Sequence, residues 1–250
     1  MNIEPYPNEP FSRQPATQGV ASERVADILA ARILNGSLEP GSRIKQDDLA
    51  EELQTSRIPV RDALRILESR GLVTIRANAG ARVVSLTLRD LEASFDVREK
   101  VEPLLLADSL DNFDEDDIAF LHDALVRAEA ASELGESMLL FRDYHSASYR
   151  RHTSPFLAQI VARVWDTTHS YRLCYLRRFI ANGEMRADNA GEQSAGPRLA
   201  VSDRLAHGLE YRLHFEAIAR GDVEGAQAAL ILHIRRIRHR VLSTAQALAA

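Results

Sequence analysis

Arg57, Arg61 and Arg65 recur every four residues, while Val60, Ala63, Leu64 and Leu67 recur at i, i+3, i+4 and i+7 along the same run. That spacing constrains the chain more than any other feature. It predicts one helix whose apolar stripe is buried and whose arginine stripe stays in solvent beside it. Ser56 is placed to cap the helix start, and Pro59 sits in the first turn, where no helical N–H is required. Gly71 suits the left-handed residue that ends a helix. An arginine-striped second helix of a helix-turn-helix is shaped for a DNA major groove, reaching phosphates and base edges. The plainer alternative is a surface helix with solvated charges.

The flanking residues favour the groove reader. Val25, Ile28, Leu29 and Ile33 have helical spacing, and Asn35-Gly36 ends that helix. Glu39-Pro40-Gly41 predicts a tight turn leading to a short extended piece around Arg43-Ile44. Gln46 to Leu53 predicts a two-turn helix with Leu49, Ala50 and Leu53 inward, and only three residues separate it from Arg57. Leu72 to Arg76 and Arg82 to Ser85 predict two short strands joined through Asn78-Ala79-Gly80. Three helices and a β-hairpin make a winged helix-turn-helix. Its DNA-binding residues are expected to be Arg43, Ser56, Arg57, Arg61, Arg65, Arg76 and Gly80.

Residues 20–86 resemble the GntR family of bacterial transcription regulators. The resemblance rests on the Gly36-to-Ile44 turn, Ser56-Arg57-x-Pro59-Val60-Arg61-Asp62-Ala63-Leu64, Arg70-Gly71-Leu72-Val73 and Gly80-Ala81-Arg82-Val83. Gln54-Thr55 replaces the Gly-Val usual between the helices, and Asp47 stands where some members carry a DNA-contacting arginine.

Charge distribution agrees. The 250 residues carry a net charge of −5, and 45% are hydrophobic, enough for ordinary cores in one or two domains. From Leu53 to Leu86, six arginines face only Asp62 and Glu68, so a basic patch is confined to the small module. Cys174 is the only cysteine, which excludes an internal disulfide and suits a reducing cytoplasm. No run of apolar residues is long enough to span a membrane, and the N-terminus lacks a signal pattern. Residues 1–19, with four prolines, read as a disordered arm.

Residues 87–250 predict about six helices packed as an all-α antiparallel bundle, for effector binding and dimerisation. Thr87 with Asp90, Asp114, Ser154-Pro155, Ser202 and Asp222 mark helix starts, and residues 182–202 read as a loop. This half resembles the FCD ligand-binding domain of the FadR-like branch. The matching residues are Arg98-x-x-x-Glu102-Pro103, Tyr144-His145, Ser154-Pro155-x-Leu157, Ala217 to Asp222 with Ala226, and His233.

The resemblance implies a divalent metal, such as zinc or nickel, held by one aspartate and three histidines. His145 and His233 match that set, but Phe141 occupies the aspartate position and Tyr211 a histidine position. Asp143 points to nearly the opposite side of its helix. His207 and His214, one turn either side of Tyr211, are conceivable substitutes. The readings left open are a metal site, a metal-free pocket, and two histidines that only satisfy buried hydrogen bonds.

Two arginines give a second handle. Arg98, and Arg172 among Trp165, His169, Tyr171 and Tyr175, could grip a carboxylate, with aromatic rings covering the rest of a small molecule. Arg98 could equally pair with Glu102 one turn away. The run Arg235-Arg236-x-Arg238-His239-Arg240 reads as a solvated helix end.

The expected function is a homodimeric, ligand-responsive, cytoplasmic transcription regulator on double-stranded operator DNA. It is expected to repress, and to be modulated by a small carboxylate metabolite bound near Arg98, His145, Arg172, Tyr211 and His233. No membrane association is expected. The alternative from another class is a metal-dependent enzyme or metal-sensing bundle using His145 and His233. It lacks a nominated base, and no phosphate loop or nucleophile signature supports catalysis.

Overall fold

The computed structural model describes residues 21–76, 80–131, 134–188 and 201–249. The N-terminal module is built from α1 (Ala21–Leu34), β1 (Arg43–Ile44), α2 (Gln46–Glu52), α3 (Arg57–Ser69), β2 (Val73–Arg76) and β3 (Gly80–Val83). Val60, Ala63, Leu64 and Leu67 of α3 are fully buried, packed with Leu29 and Ile33 of α1 and Leu49 of α2. The apolar periodicity thus lies on the core face, and the arginines remain exposed. Ser56 occupies the N-cap position in extended backbone, but its side chain makes no capping hydrogen bond, contrary to the sequence expectation. Its hydroxyl is therefore not committed to the helix end.

The wing is a three-stranded antiparallel sheet in the order β1-β3-β2. The extended piece at Arg43-Ile44 joins it as a third strand, with Arg43 opposite Arg82 and Arg76 opposite Gly80. Residues 77–79 of the expected turn, and the arm 1–19, lie outside the described residues.

Gly71 explains how the module is seated. Its φ is +77°, and a Cβ there would run into the Thr167 hydroxyl. Only glycine combines that backbone with so close an approach.

The second domain contains α4 (Leu88–Leu110), α5 (Glu115–Ala130), α6 (Leu134–Ser148), α7 (Pro155–Asp188), α8 (Val201–Ala219) and α9 (Val223–Ala249). Thr87–Asp90 and Asp114–Asp117 form reciprocal capping boxes at the starts of α4 and α5. Of the loop expected at 182–202, the described residues at both ends are helical. Helix α7 continues to Asp188 and α8 begins at Val201, and 189–200 lie outside the described residues.

The arginine run at 235–240 is not a helix end, because α9 continues to Ala249. Arg235 pairs with Glu99, and Arg238 pairs with Glu92, Asp96 and Glu99 of α4. Arg236 pairs with Glu210 of α8. The run spreads over several faces of the helix, so the charges of Arg235, Arg236 and Arg238 are spent on neighbouring helices. Among the described residues, no helix is long and apolar enough to cross a membrane.

Candidate functional site

Two regions carry concentrated polar chemistry. The first is the outer face of the winged helix. Arg57, Arg61 and Arg65 project from α3 with side chains more than half exposed. Arg43 and Arg76 are exposed on the sheet, and Gly80 has no atom within 4 Å of where a Cβ would stand. All the sequence-predicted DNA residues except Gly80 and the cap serine are thus solvent-facing cations of one small module. Arg57 is engaged by Asp47 of α2, Nε to Oδ1 at 2.5 Å, across the turn that Gln54 closes with a φ of +50°. Arg61 and Arg65 both approach Asp62, at 3.9 and 3.8 Å. These pairs are exposed, so each contributes little to stability and can open toward a phosphate.

The second region is a small pocket, partly open to solvent, between α6, α7, α8 and α9. Its polar lining is Ser137, Arg142, Arg172, Tyr211, His233 and Arg240; Phe141, Trp165, Leu176 and Ile237 supply much of the apolar lining. Among the described residues no carboxylate lines it. The lining follows helix geometry. Phe141 and His145 are one turn apart on α6, as are His233 and Ile237 on α9, with Arg240 next along the same stripe.

Of the five residues expected to hold an effector, Arg172, Tyr211 and His233 line this pocket. Arg98 and His145 lie one layer deeper. Arg98 is fully buried and forks onto Glu102, Nε to Oε1 and Nη2 to Oε2 at 3.5 Å, so the intraprotein pairing is the one realised. Glu102 also accepts from the Tyr149 hydroxyl at 3.0 Å. The guanidinium carbons of Arg98 and Arg172 lie 4.3 and 4.1 Å from the Trp165 ring centroid. Arg172 has no ion pair with a described carboxylate. Its nearest polar partner is His169 Nδ1 at 3.4 Å, and its Nε has no hydrogen-bond partner among the described residues. Burial, then the nearby Arg98 charge, pushes the Arg172 pKa well below the usual arginine value. Such a cation gains from any anion that enters.

Sequence reasoning missed Arg142 and Arg240. The usable signal was their spacing from the two histidines, three residues before His145 and seven after His233. Arg142 had no motif to mark it, and Arg240 was hidden inside the arginine run.

Between the two histidines stands a phenol. The Tyr211 hydroxyl is 3.1 Å from His145 Nε2 and 3.1 Å from His233 Nε2. Phe141 stacks on the Tyr211 ring at 4.1 Å between centroids. His233 Nδ1 faces Glu210 at 3.1 Å. Even so, burial and the charges of Arg98 and Arg236 hold the His233 pKa well below its ordinary value. Burial, then His233 and His214, does the same to His145. Burial raises the Tyr211 pKa above the ordinary phenol value, so the bridge is a neutral hydroxyl between neutral imidazoles. His214, hydrogen-bonded to Tyr144 at 2.8 Å, is pushed down to about 4 by burial. The side chain of His207 lies outside the described residues.

This donor set does not fit the divalent metal that the sequence resemblance implies. The carboxylate position is an aromatic ring, and both imidazole Nε2 atoms are already tied to a protonated phenol, a poor ligand for divalent ions. Among the described residues no group of three or more His, Cys, Asp or Glu is placed to hold a metal.

Comparison with known proteins decides the identity of the two parts. Residues 21–83 match the model of "Bacterial regulatory proteins, gntR family", and residues 93–236 match that of the FCD domain. The chain belongs to the GntR family. Its N-terminal module is a DNA-binding helix-turn-helix and its bundle an effector-binding FCD domain; it is a transcription regulator rather than an enzyme. This sets aside the alternative of a metal-dependent enzyme built on His145 and His233.

Among relatives, an uncharacterized HTH-type transcriptional regulator, YdhC of Bacillus subtilis, is 31% identical over 153 residues, covering 58% of this chain and 66% of that protein. The HTH-type transcriptional repressor GlaR of Escherichia coli is 30% identical over 164 residues, covering 62% and 74%. The solved structure of E. coli McbR/YncC superposes with a TM-score of 0.71 at 23% identity, covering 88% of this chain and 95% of that one. That likeness establishes a shared fold for this GntR protein.

Proposed function

We propose that this GntR protein is a cytoplasmic, homodimeric repressor whose FCD pocket takes a small organic acid and thereby changes operator affinity. The observation that carries the effector class is the lining of the pocket. Three arginines and a histidine face a cavity lined by no carboxylate of a described residue, and Arg172 is unpaired with any described acid. A buried guanidinium without a counter-ion is costly, and a carboxylate is the ligand whose geometry matches its fork. Phe141, Trp165, Leu176 and Ile237 would cover the carbon skeleton. Repression is proposed from the relatives, since GlaR is named a repressor.

The effector test uses the protein's one tryptophan. Trp165 lies in the pocket against two arginines, so its emission reports occupancy directly. Titration with acetate, succinate and citrate is expected to shift it saturably for at least one acid, with the response lost in Arg172→Met. Emission unchanged by every acid, in protein that binds DNA, would remove the organic-acid reading.

Dimerisation is proposed because one small winged helix binds DNA weakly, and two modules on a two-fold axis read a near-palindrome. Sedimentation at micromolar concentration is expected to give twice the chain mass of 27.9 kDa. A monomer with undiminished specific binding would be the contrary result. For the metal-free reading, elemental analysis of protein purified without chelator or nickel resin is expected to find no stoichiometric divalent metal. A metal lost on His145→Ala would reverse it.

A further inference from the structure

Helix α7 carries the pocket on one face and the winged helix on another. Trp165, Arg172 and Leu176 line the pocket. Arg163 Nη1 donates to the Ser69 carbonyl at 2.6 Å and the Thr167 hydroxyl to the Gly71 carbonyl at 3.2 Å. The Tyr171 hydroxyl donates to the Val84 carbonyl at 3.2 Å and receives the Leu86 N–H. Arg177 Nη2 donates to the Asn35 carbonyl at 3.1 Å. These bonds fix the module to α7 through its backbone, and none involves a pocket-lining side chain.

Asp166 is different. It is buried on α7, beside Trp165, and its two carboxylate oxygens are held from two domains. Oδ2 receives Arg70 Nε at 2.9 Å, and Oδ1 receives Arg142 Nη2. Arg70 is the C-cap residue of α3, the helix that carries Arg57 and Arg61. Arg142 lines the pocket. One carboxylate therefore stands between a pocket cation and the base of the DNA-facing helix.

We propose that Arg142 senses an anion in the pocket and that Asp166 relays its response to α3 through Arg70. The proposal rests on the reading of the pocket as an anion site. An anion entering beside Arg172 offers Arg142 a second acceptor. As Arg142 turns toward it, Asp166 loses the partner that fixes its Oδ1, and Arg70 follows the carboxylate as it resettles. Helix geometry amplifies the movement. Arg57 lies twelve positions before Ser69, about 18 Å along the axis at about 1.5 Å per residue. A tilt of about 5° at the Arg70 end would displace Arg57 by about 1.5 Å, a large fraction of a hydrogen-bond length of about 3 Å. The coupling is reciprocal, so operator binding would also change anion affinity.

The experiment needs no effector. An operator is selected from random duplex DNA with the full-length protein, and its affinity is measured for wild type, Arg142→Met, Arg70→Ala and the double variant. Although Arg142 is far in sequence from the DNA-facing helix, Arg142→Met is expected to change operator affinity by at least about fivefold, the lower range of measured site-to-site coupling. In the Arg70→Ala background the same substitution is expected to change it by less than about twofold, the non-additivity that marks a shared network. Should Arg142→Met fail to fold by circular dichroism, Asp166→Asn replaces it with the same expectation. Unchanged affinity in the single variant, or an effect of equal size in both backgrounds, would overturn the relay. Because no effector is present, that result would leave the anion pocket standing. A relay that holds while Trp165 ignores every acid would instead reject the pocket reading.

Discussion

Replacing Arg57 and Arg61 together by Ala is expected to abolish specific operator binding while leaving the fold intact. The two side chains lie one turn apart on the exposed side of α3, and its buried side contains no polar group they could support. An arginine that reads a base is worth roughly 1–3 kcal/mol, so losing both removes about 2–6 kcal/mol if they act independently. Electrophoretic mobility shift across a salt series separates the roles. A base reader loses discrimination between operator and random DNA, whereas a phosphate contact weakens both and reduces the salt slope by about one. Asp47 supplies an opposite-signed control. It occupies Arg57 in the free protein, so Asp47→Ala should tighten DNA binding by releasing that arginine and removing a nearby negative charge. Double-variant protein with unimpaired operator binding would show that α3 is not the reading helix.

Acid is expected to destabilise the bundle before its surface carboxylates protonate. His214 is completely enclosed, and burial pushes its pKa down to about 4 from the ordinary value near 6.5. Between those two values the unfolded chain binds a proton that the native bundle refuses. Stability is therefore complete above about pH 6.5 and is lost as pH falls toward about 4. From pH 7 to pH 5 this one group accounts for about 2 kcal/mol, or a fall in Tm of about 4–8 °C for a protein of this size. His145 and His233 are shifted in the same direction by burial and by neighbouring cations, so they add to the loss. Scanning calorimetry from pH 7.5 to 5 checks this, with His214→Gln expected to flatten the profile. A Tm independent of pH across that range would contradict the neutral, enclosed imidazoles.

Legibility in the sequence was uneven for physical reasons. The winged helix could be read because its signals are local: a 3.6-residue apolar period, Gly71 at a left-handed stop, and strands punctuated by glycine. The capping boxes of α4 and α5 were equally local. The pocket was read through single positions; in the structure Tyr211 stands between His145 and His233, and Phe141 packs against it. Arg98 was ambiguous because Glu102 one turn away and a ligand make the same demand on a guanidinium, and only burial distinguishes them. Arg142 and Arg240 escaped because a lone arginine on a helix has no local mark of its destination. The run at 235–240 misled for a related reason: consecutive charges look like a solvated end unless the acids on another helix are known.

The geometry of α7 constrains how such a regulator can diversify. Positions 165, 172 and 176 face the pocket, while 163, 167, 171 and 177 grip the DNA module. Substitutions at the first set can retune which molecule is recognised without disturbing the joint, so new chemical preferences are accessible one residue at a time. A single inserted or deleted residue within this stretch is another matter. It would rotate everything beyond it by about 100°, turning both faces out of register with their partners and severing recognition from response at once. The helix therefore tolerates changes of side chain along its length far better than changes of length.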